Sequence, residues 1–558
     1  MADAEHGGIH AARALAASGI DTIYALPGGH ILPLFEGARH EGIRIIDTRH
    51  EENAVLMALG RALATGDVGI AAVTAGPGLA NAVPGIAEAN GFGAPVVTIA
   101  GKTALRQHHR GAVQDLDQVQ LVRSITKWQA TCLQPERIQD FVNEAVYRAR
   151  AGSPGPTFLD IPQDVFGEKT EPAARPFEFG YPEEIPRPAP RGEELERAVA
   201  LLETAERPIV LAGGGAFWSG AEAALQTFSE RTGIPVTTTS SARGLLPDDH
   251  PSCLGSLIHG GIALASADAV LILGSAFNAN LLYGGLPLFQ PGQTVIQVDL
   301  RPEAIGGNRR PEHAVAADIR TFLELATEGW PRSDGFGEWL ERVREGAMNS
   351  RASWDRQAEE ATERINPGWA AREVAGFAAG LGAHTIVCDG GDSLVWGLAF
   401  AQASGPGRHL FTGSALGTLG VGLPFAIAAR TARPSEPVFL FTGDGAFGLS
   451  AMEMDTAARH SAPVVVVVAN NGGWGDVRHE QRAFYGEEAE IGSILSTMRY
   501  DLLAEAVGGH GERVQNADDL VPALKRSLDS GKPAIVDVLT DPEIENELIR
   551  SIGTLDVM

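Results

Sequence analysis

A chain of 558 residues, 44% hydrophobic and 20% charged, is too long for one hydrophobic core and too apolar for disorder, so it reads as about three globular α/β domains. Lys plus Arg number 44 against 70 Asp plus Glu, a formal charge of −26, which excludes a broad electrostatic grip on nucleic acid or an acidic membrane. Any phosphate must be held locally. The three cysteines, Cys132, Cys253 and Cys388, lie far apart without CxxC or Cys/His spacing, which excludes a disulfide framework and a zinc site and fits a reducing cytoplasm.

No basic n-region precedes an apolar block at the N-terminus, and the longest apolar runs have strand length, so neither an export signal nor a membrane span is expected. Short apolar strands then alternate with Ala-rich helical stretches: DTIYALPGG, a helix, IRIIDTRH, a helix from Glu52, VGIAAVTAGPG and APVVTIAG. This is the βαβ rhythm of a doubly wound parallel sheet, predicted as a first domain over 1–170. From Gly167 to Glu193 the chain is rich in Pro, Glu and Arg without helical or strand period and reads as a linker.

A second α/β domain over 190–335 carries strand candidates in RPIVLAGGG, IPVTTT, AVLILGSA and TVIQVDL. A polar helical stretch broken at Asn366-Pro367 leads into a third domain over 365–558, whose strands are read in HTIVCDGG, HLFTG, PVFLFTGDG, PVVVVVANN and PAIVDVLT. Three doubly wound parallel-sheet α/β domains are the predicted fold.

The third domain holds the strongest chemical signal. Gly443-Asp444-Gly445 stands where an apolar strand ends and a helix begins, and the next strand ends at Asn470-Asn471. One strand–helix–strand unit thus brings a carboxylate and an amide to neighbouring carboxyl ends of a parallel sheet, the crevice where open α/β sheets bind ligands. Glycines let backbone approach a phosphate, and a helix N-terminus offers N–H donors. A carboxylate, an amide oxygen and a backbone carbonyl suit a hard cation such as Mg2+ or Ca2+, with diphosphate oxygens completing its shell. Gly-Asp-Gly alone is also a common tight turn; the second loop at this separation makes the cofactor reading the better one.

GDG followed by Asn470-Asn471 matches the motif of thiamine-diphosphate-dependent enzymes. PGGHILPLFEG, RHEENAV, TAGPGLANAV, ITKW and GPTFLDIP resemble the acetolactate synthase and benzaldehyde lyase branch, so the resemblance covers essentially the whole chain. It implies a pyrimidine-binding first domain, a central domain and a diphosphate-binding third domain, with the cofactor between two subunits. The active unit is then a homodimer at least, commonly a tetramer, acting on a small carbonyl substrate.

By resemblance, Asp444, Asn471 and the carbonyl of Gly473 ligate the metal. Gly391, Asp392, Thr418, Leu419, Gly443, Gly445, Ala446, Trp474 and Gly475 lie along the cofactor, as do Thr74, Pro77 and Asn81 from the first domain. Glu51 matches the glutamate that hydrogen-bonds the aminopyrimidine, where a buried carboxylate shares a proton with the ring nitrogen and favours its imino form. Leu419 occupies the position of the bulky apolar side chain that holds the cofactor bent.

His30 in PGGHI matches the histidine of benzaldehyde lyase, where acetolactate synthases carry a small apolar residue, and Gln114 matches a glutamine that steadies the substrate oxygen. A histidine titrating near neutrality can take and give the substrate's proton. Together they imply a lyase or carboligase acting on 2-hydroxy ketones or aldehydes. The alternatives are an acetolactate-synthase-like 2-keto acid decarboxylase and ligase, and a 2-hydroxyacyl-CoA lyase.

Asp476 departs from both relatives and is expected to alter substrate choice. Arg478, His479 and Arg482 are candidates to meet a carboxylate or phosphate, although a solvated loop face is the blander reading. AGGGAFWSG, from Ala212 to Gly220, is a glycine-rich turn that by itself indicates little. FAD is not expected, since CLGSLIHGG and GSAFNANL match the flavin-holding segments poorly, while an ADP or CoA moiety in the central domain stays open. The segment from Ile549 to Val557 either covers the active-site mouth or frays.

Overall fold

A computed structural model gives the fold and describes residues 5–170, 180–182, 184–331, 335–414 and 416–552. It contains three six-stranded sheets in which every strand pairing is parallel. The first runs, edge to edge, Arg44–Asp47, Thr22–Ala25, Gly69–Val73, Val96–Lys102, Thr157–Pro162 and Trp128–Thr131. The second runs Cys253–Ser256, Val236–Thr238, Pro208–Ala212, Ala269–Leu273, Thr294–Asp299 and His313–Ala316. The third runs His409–Phe411, Thr385–Asp389, Val438–Gly443, Val465–Asn470, Ala534–Leu539 and His510–Val514.

Strands covered on both faces are predominantly apolar, and Val465–Asn470, with the sequence VVVVAN, is buried at every position. The winding of each sheet reverses near its middle, and this reversal opens a crevice beyond the carboxyl ends of two strands. It falls between Thr22–Ala25 and Gly69–Val73 in the first sheet and between Thr385–Asp389 and Val438–Gly443 in the third. In the second it falls between Pro208–Ala212 and Ala269–Leu273.

That central crevice is closed by backbone. Gly213 N donates to Leu273 O at 2.8 Å and Gly215 N to Gly274 O at 2.9 Å. A Cβ on Gly215 would lie 2.7 Å from Gly274 Cα. The glycines of AGGGAFWSG therefore serve the contact between two loops, which needs no nucleotide to explain it.

The chain forms two compact units. One comprises 1–186 with 414–434 and 450–462, the other 187–413 with 435–449 and 463–558. Helices Gly422–Ala432 and Glu453–Arg459 thus belong with the first sheet, although they alternate in sequence with strands of the third. The cause is packing on helix Glu51–Thr65. A Cβ on Gly60 would sit 2.8 Å from Phe425 Cα, and Tyr24 Oη lies 3.1 Å from Thr431 Oγ1. Glu453 accepts hydrogen bonds from Asn53 Nδ2 at 2.8 Å and from Arg49 N at 3.0 Å.

One expectation changes. The stretch from Gly167 to Glu193 is not wholly a linker, because Lys169–Thr170 pairs antiparallel with Glu5–His6 and helix Gly192–Glu203 starts within it; residues 171–179 and 183 lie outside the described residues. At the C-terminus a helix runs Glu547–Ile552, and the remainder of the Ile549 to Val557 expectation lies outside the described residues. Among those described, no helix is long and apolar enough to cross a membrane.

Candidate functional site

In the third sheet, Gly443 ends its strand paired with Ala469 of the neighbour, and Asp444 follows as the first residue of helix Asp444–Ser450. Asp444 is 1% exposed, and its Oδ2 accepts from Gly472 N at 3.0 Å and Gly473 N at 3.2 Å. Asn471 Oδ1 also accepts from Gly473 N, at 3.1 Å. The GDG and NNGG loops are therefore in direct contact, as the sequence spacing implied. Burial pushes the Asp444 carboxyl up to about 6, against the pull of the Gly445, Gly472 and Gly473 N–H groups. A cation beside it would supply the missing opposite charge.

Around this pair glycines let side chains pack directly on the backbone. A Cβ on Gly445 would meet the Trp474 ring at 2.6 Å, one on Gly475 would meet Asn471 Nδ2 and Asp392 Oδ2 at 2.7 Å, and one on Gly391 would meet Asp476 at 2.7 Å. The segments carrying Gly391, Asp392, Gly443, Asp444, Gly445, Asn471, Gly473, Trp474 and Gly475 thus converge at one crevice, with Ala446 buried in the helix behind. Among the described residues no group of three or more His, Cys, Asp or Glu can hold a metal. One buried carboxylate, an amide oxygen and the Gly473 carbonyl fit a hard cation only with oxygens from its ligand in the shell.

The three cations beyond the motif are paired within the protein. Arg478 reaches Glu543 at 3.0 Å and Glu490 at 3.0 Å, and Arg482 bonds Glu490 and Glu543. His479 Nδ1 lies 3.2 Å from Asp392 Oδ2. Burial works to lower the His479 pKa, but the Asp392 carboxylate outweighs it and the net shift is upward. Burial, with the charge of Asp392, pushes Asp476 up to about 7. Asp476 is therefore less of a fixed charge than its residue type suggests.

In the first sheet, His50 caps helix Glu51–Thr65 through Nδ1, which accepts from Glu52 N, and Glu51 opens the helix only 7% exposed. Asn81 Nδ2 donates to Glu51 Oε2 at 3.1 Å. Pro77 is the first residue of helix Pro77–Phe92, which presents Asn81.

His30 and Thr74 follow the two strands that flank the switch point, and His30 Nδ1 lies 3.2 Å from Thr74 Oγ1 across it. Both are half-buried, and burial holds the His30 pKa below its usual value. A Cβ on Gly101 would meet His30 Cβ at 2.3 Å. Gln114 holds a φ of +65°, sparsely populated for a residue with a side chain, and a Cβ on Gly76 would lie 2.8 Å from Gln114 Cβ. The fold thus gathers Glu51, Asn81, Thr74, His30 and the Gln114 backbone at the carboxyl end of one sheet.

Sequence reasoning missed Glu88, on the helix that carries Asn81. It is 0% exposed, and burial raises its pKa, partly offset by hydrogen bonds from Thr418 and Ser414. The signal was a lone acid in an Ala- and Gly-rich helix. A carboxyl with a raised folded-state pKa stabilises fully below its unfolded pKa, and that stability is lost as pH rises through the folded value. Glu88→Gln is therefore expected to raise the melting temperature more at pH 8 than at pH 5. A scan of both proteins at the two pH values checks this, and an equal or smaller gain at pH 8 contradicts it.

Comparison with known proteins agrees with this geometry. Residues 6–121 match the N-terminal TPP binding domain of thiamine pyrophosphate enzymes, 195–325 their central domain and 389–538 their C-terminal TPP binding domain. A probable acetolactate synthase of Mycobacterium bovis is 37% identical over 541 residues, 97% of this chain and 96% of that protein. The human 2-hydroxyacyl-CoA lyase 2 is 32% identical over 585 residues, 96% of this chain and 90% of that protein. A probable acetolactate synthase large subunit of Methanocaldococcus jannaschii is 31% identical over 548 residues, 95% and 91% of the two chains. With each sheet domain matched and such relatives along nearly the whole length, the chain belongs to the thiamine-diphosphate-dependent enzymes, in the group of the acetolactate synthases and 2-hydroxyacyl-CoA lyases.

Proposed function

We propose that the protein is a carbon–carbon lyase and carboligase acting on 2-hydroxy ketones or aldehydes, with thiamine diphosphate held through Mg2+ or Ca2+. The domain limits given above, 1–170, 190–335 and 365–558, go with this proposal, as does a homo-oligomer of at least two copies, commonly four. Asp444, Asn471 and the Gly473 carbonyl would hold the metal, and the segments around Gly391, Gly443, Gly445 and Gly475 would admit the diphosphate against backbone. Thr418 and Leu419 would line the cofactor, and Glu51 with Asn81 would hold a proton at its aminopyrimidine ring. When bound, the cofactor supplies a carbon nucleophile and an electron sink for cleaving or forming a bond beside a carbonyl.

The observation that carries the lyase reading is the placement of His30 against Thr74 at the switch point, beside the Gly76–Gln114 contact. Burial favours the neutral ring, so near neutral pH His30 can accept the proton of a substrate hydroxyl, and Thr74 Oγ1 steadies the ring. Gln114 would hold the substrate oxygen from the adjoining loop. His30→Ala is expected to slow acyloin cleavage and ligation by roughly 100-fold, the low end for a lost general acid–base group. Thiamine diphosphate affinity should stay unchanged. Equal rates in the variant would remove His30 from the chemistry.

A second reading is favoured by the 37% identity to a probable acetolactate synthase, and a third by the similarity to 2-hydroxyacyl-CoA lyase 2. Carbon dioxide release from pyruvate marks the second, and formyl-CoA release from a 2-hydroxyacyl-CoA marks the third. Aldehyde release from an acyloin without carbon dioxide marks the reading proposed here.

A further inference from the structure

Gln118 is 0% exposed at the start of helix Gln118–Val122, and its amide is fully engaged. Oε1 accepts from Gly76 N at 2.9 Å, while Nε2 donates to Gly101 O at 2.9 Å and to Asp160 Oδ2 at 3.2 Å. The same Asp160 oxygen accepts from Lys102 Nζ at 2.9 Å. Asp160 is 0% exposed and Lys102 9%. A carbonyl and a carboxylate both demand a donor, so they fix which end of the amide faces them, and the acceptor end must face Gly76.

The two backbone positions held in this way are those on which the candidate substrate residues rest. Gly76, at φ +64°, packs against the backbone of Gln114 and precedes the helix that presents Asn81 to Glu51. Gly101 packs against His30. Three strands end here, Gly69–Val73, Val96–Lys102 and Thr157–Pro162, and Gln118 joins the segments that follow or contain their ends.

We propose that Gln118 is a positioning residue for the carbon–carbon chemistry, setting the spacing between His30, Gln114 and the Glu51–Asn81 pair through Gly76 and Gly101. The proposal rests on the functional reading above for the roles of those four residues. Gln118 is fully buried and would act through the backbone of Gly76 and Gly101. A misplacement of about 1 Å at a distance from the chemistry can cost roughly 100-fold in rate.

The test compares wild-type holoenzyme with Gln118→Ala and Gln118→Glu, measuring kcat, KM, thiamine diphosphate affinity and amide hydrogen exchange over 74–81. The reaction followed is whichever cleavage or ligation the wild type performs, so a mistaken substrate class leaves the comparison readable. Gln118→Ala is expected to lower kcat by roughly 100-fold and to speed exchange over 74–81. Cofactor affinity should stay within about threefold, because the proposed diphosphate and metal ligands lie elsewhere.

In Gln118→Glu an ionised carboxylate would face Asp160 and the Gly101 carbonyl, whereas the protonated acid can donate to one of them and accept from Gly76. Its kcat relative to wild type is therefore expected to rise as pH falls, while the Gln118→Ala ratio stays flat. A mere loss of packing would not separate the variants in this way. The proposal is overturned if Gln118→Ala keeps wild-type kcat and exchange, or if both variants lose rate equally at every pH.

Discussion

Asp444→Ala is expected to weaken thiamine diphosphate binding by more than about 100-fold in the presence of Mg2+. The protein is strongly acidic, and the cations nearest the motif in sequence, Arg478 and Arg482, are committed to Glu490 and Glu543. A diphosphate in this crevice would thus depend on a metal and on backbone N–H groups for its charge balance. Partners merely adjoining a metal ligand are worth roughly 10- to 100-fold in affinity, so loss of the ligand should cost more than about 100-fold. Titration of wild type and variant, followed by near-ultraviolet circular dichroism, checks this. A variant that still binds with an affinity within about threefold of wild type would mean that the anion is held some other way.

Glu51→Gln is expected to separate binding from chemistry. The substitution leaves an oxygen to accept from Asn81 Nδ2, and the proposed diphosphate and metal ligands are remote in the chain, so cofactor affinity should change little. The proton held at the aminopyrimidine would be lost, and general acid–base groups are worth about 100- to 10,000-fold. kcat should fall by that order, and proton exchange at the cofactor's reactive carbon, followed by NMR, should slow in step. An unchanged exchange rate with normal turnover would show that Glu51 does no proton work.

The alternating apolar strands made the three parallel sheets legible, because covered strands need predominantly apolar runs and Val465–Asn470 supplies one. The strands of the three sheets that went unread are four edge strands and the interior strand Thr157–Pro162. Trp128–Thr131 is only half-buried along its length, and His313–Ala316 has one buried position, so neither carries the apolar signal. The contact between the GDG and NNGG loops was readable because one strand–helix–strand unit dictates it.

What depended on packing at long range was not legible. Helices Gly422–Ala432 and Glu453–Arg459 go with the first sheet because Glu51–Thr65 offers close contacts at Gly60 and Asn53. Arg482 finds its carboxylates on Glu490 and Glu543, the latter distant in sequence. Gln118 reads as an ordinary polar residue until three strand ends meet around it.

Equilibrium dialysis of the purified wild-type protein against labelled thiamine diphosphate, with Mg2+ or with EDTA, tests the central claim most directly. The account expects saturable binding of one cofactor per chain with Mg2+, abolished by EDTA and restored by added divalent cation. Binding that is indifferent to EDTA, or absent with Mg2+ present, would contradict the grip assigned to Asp444, Asn471 and the Gly473 carbonyl.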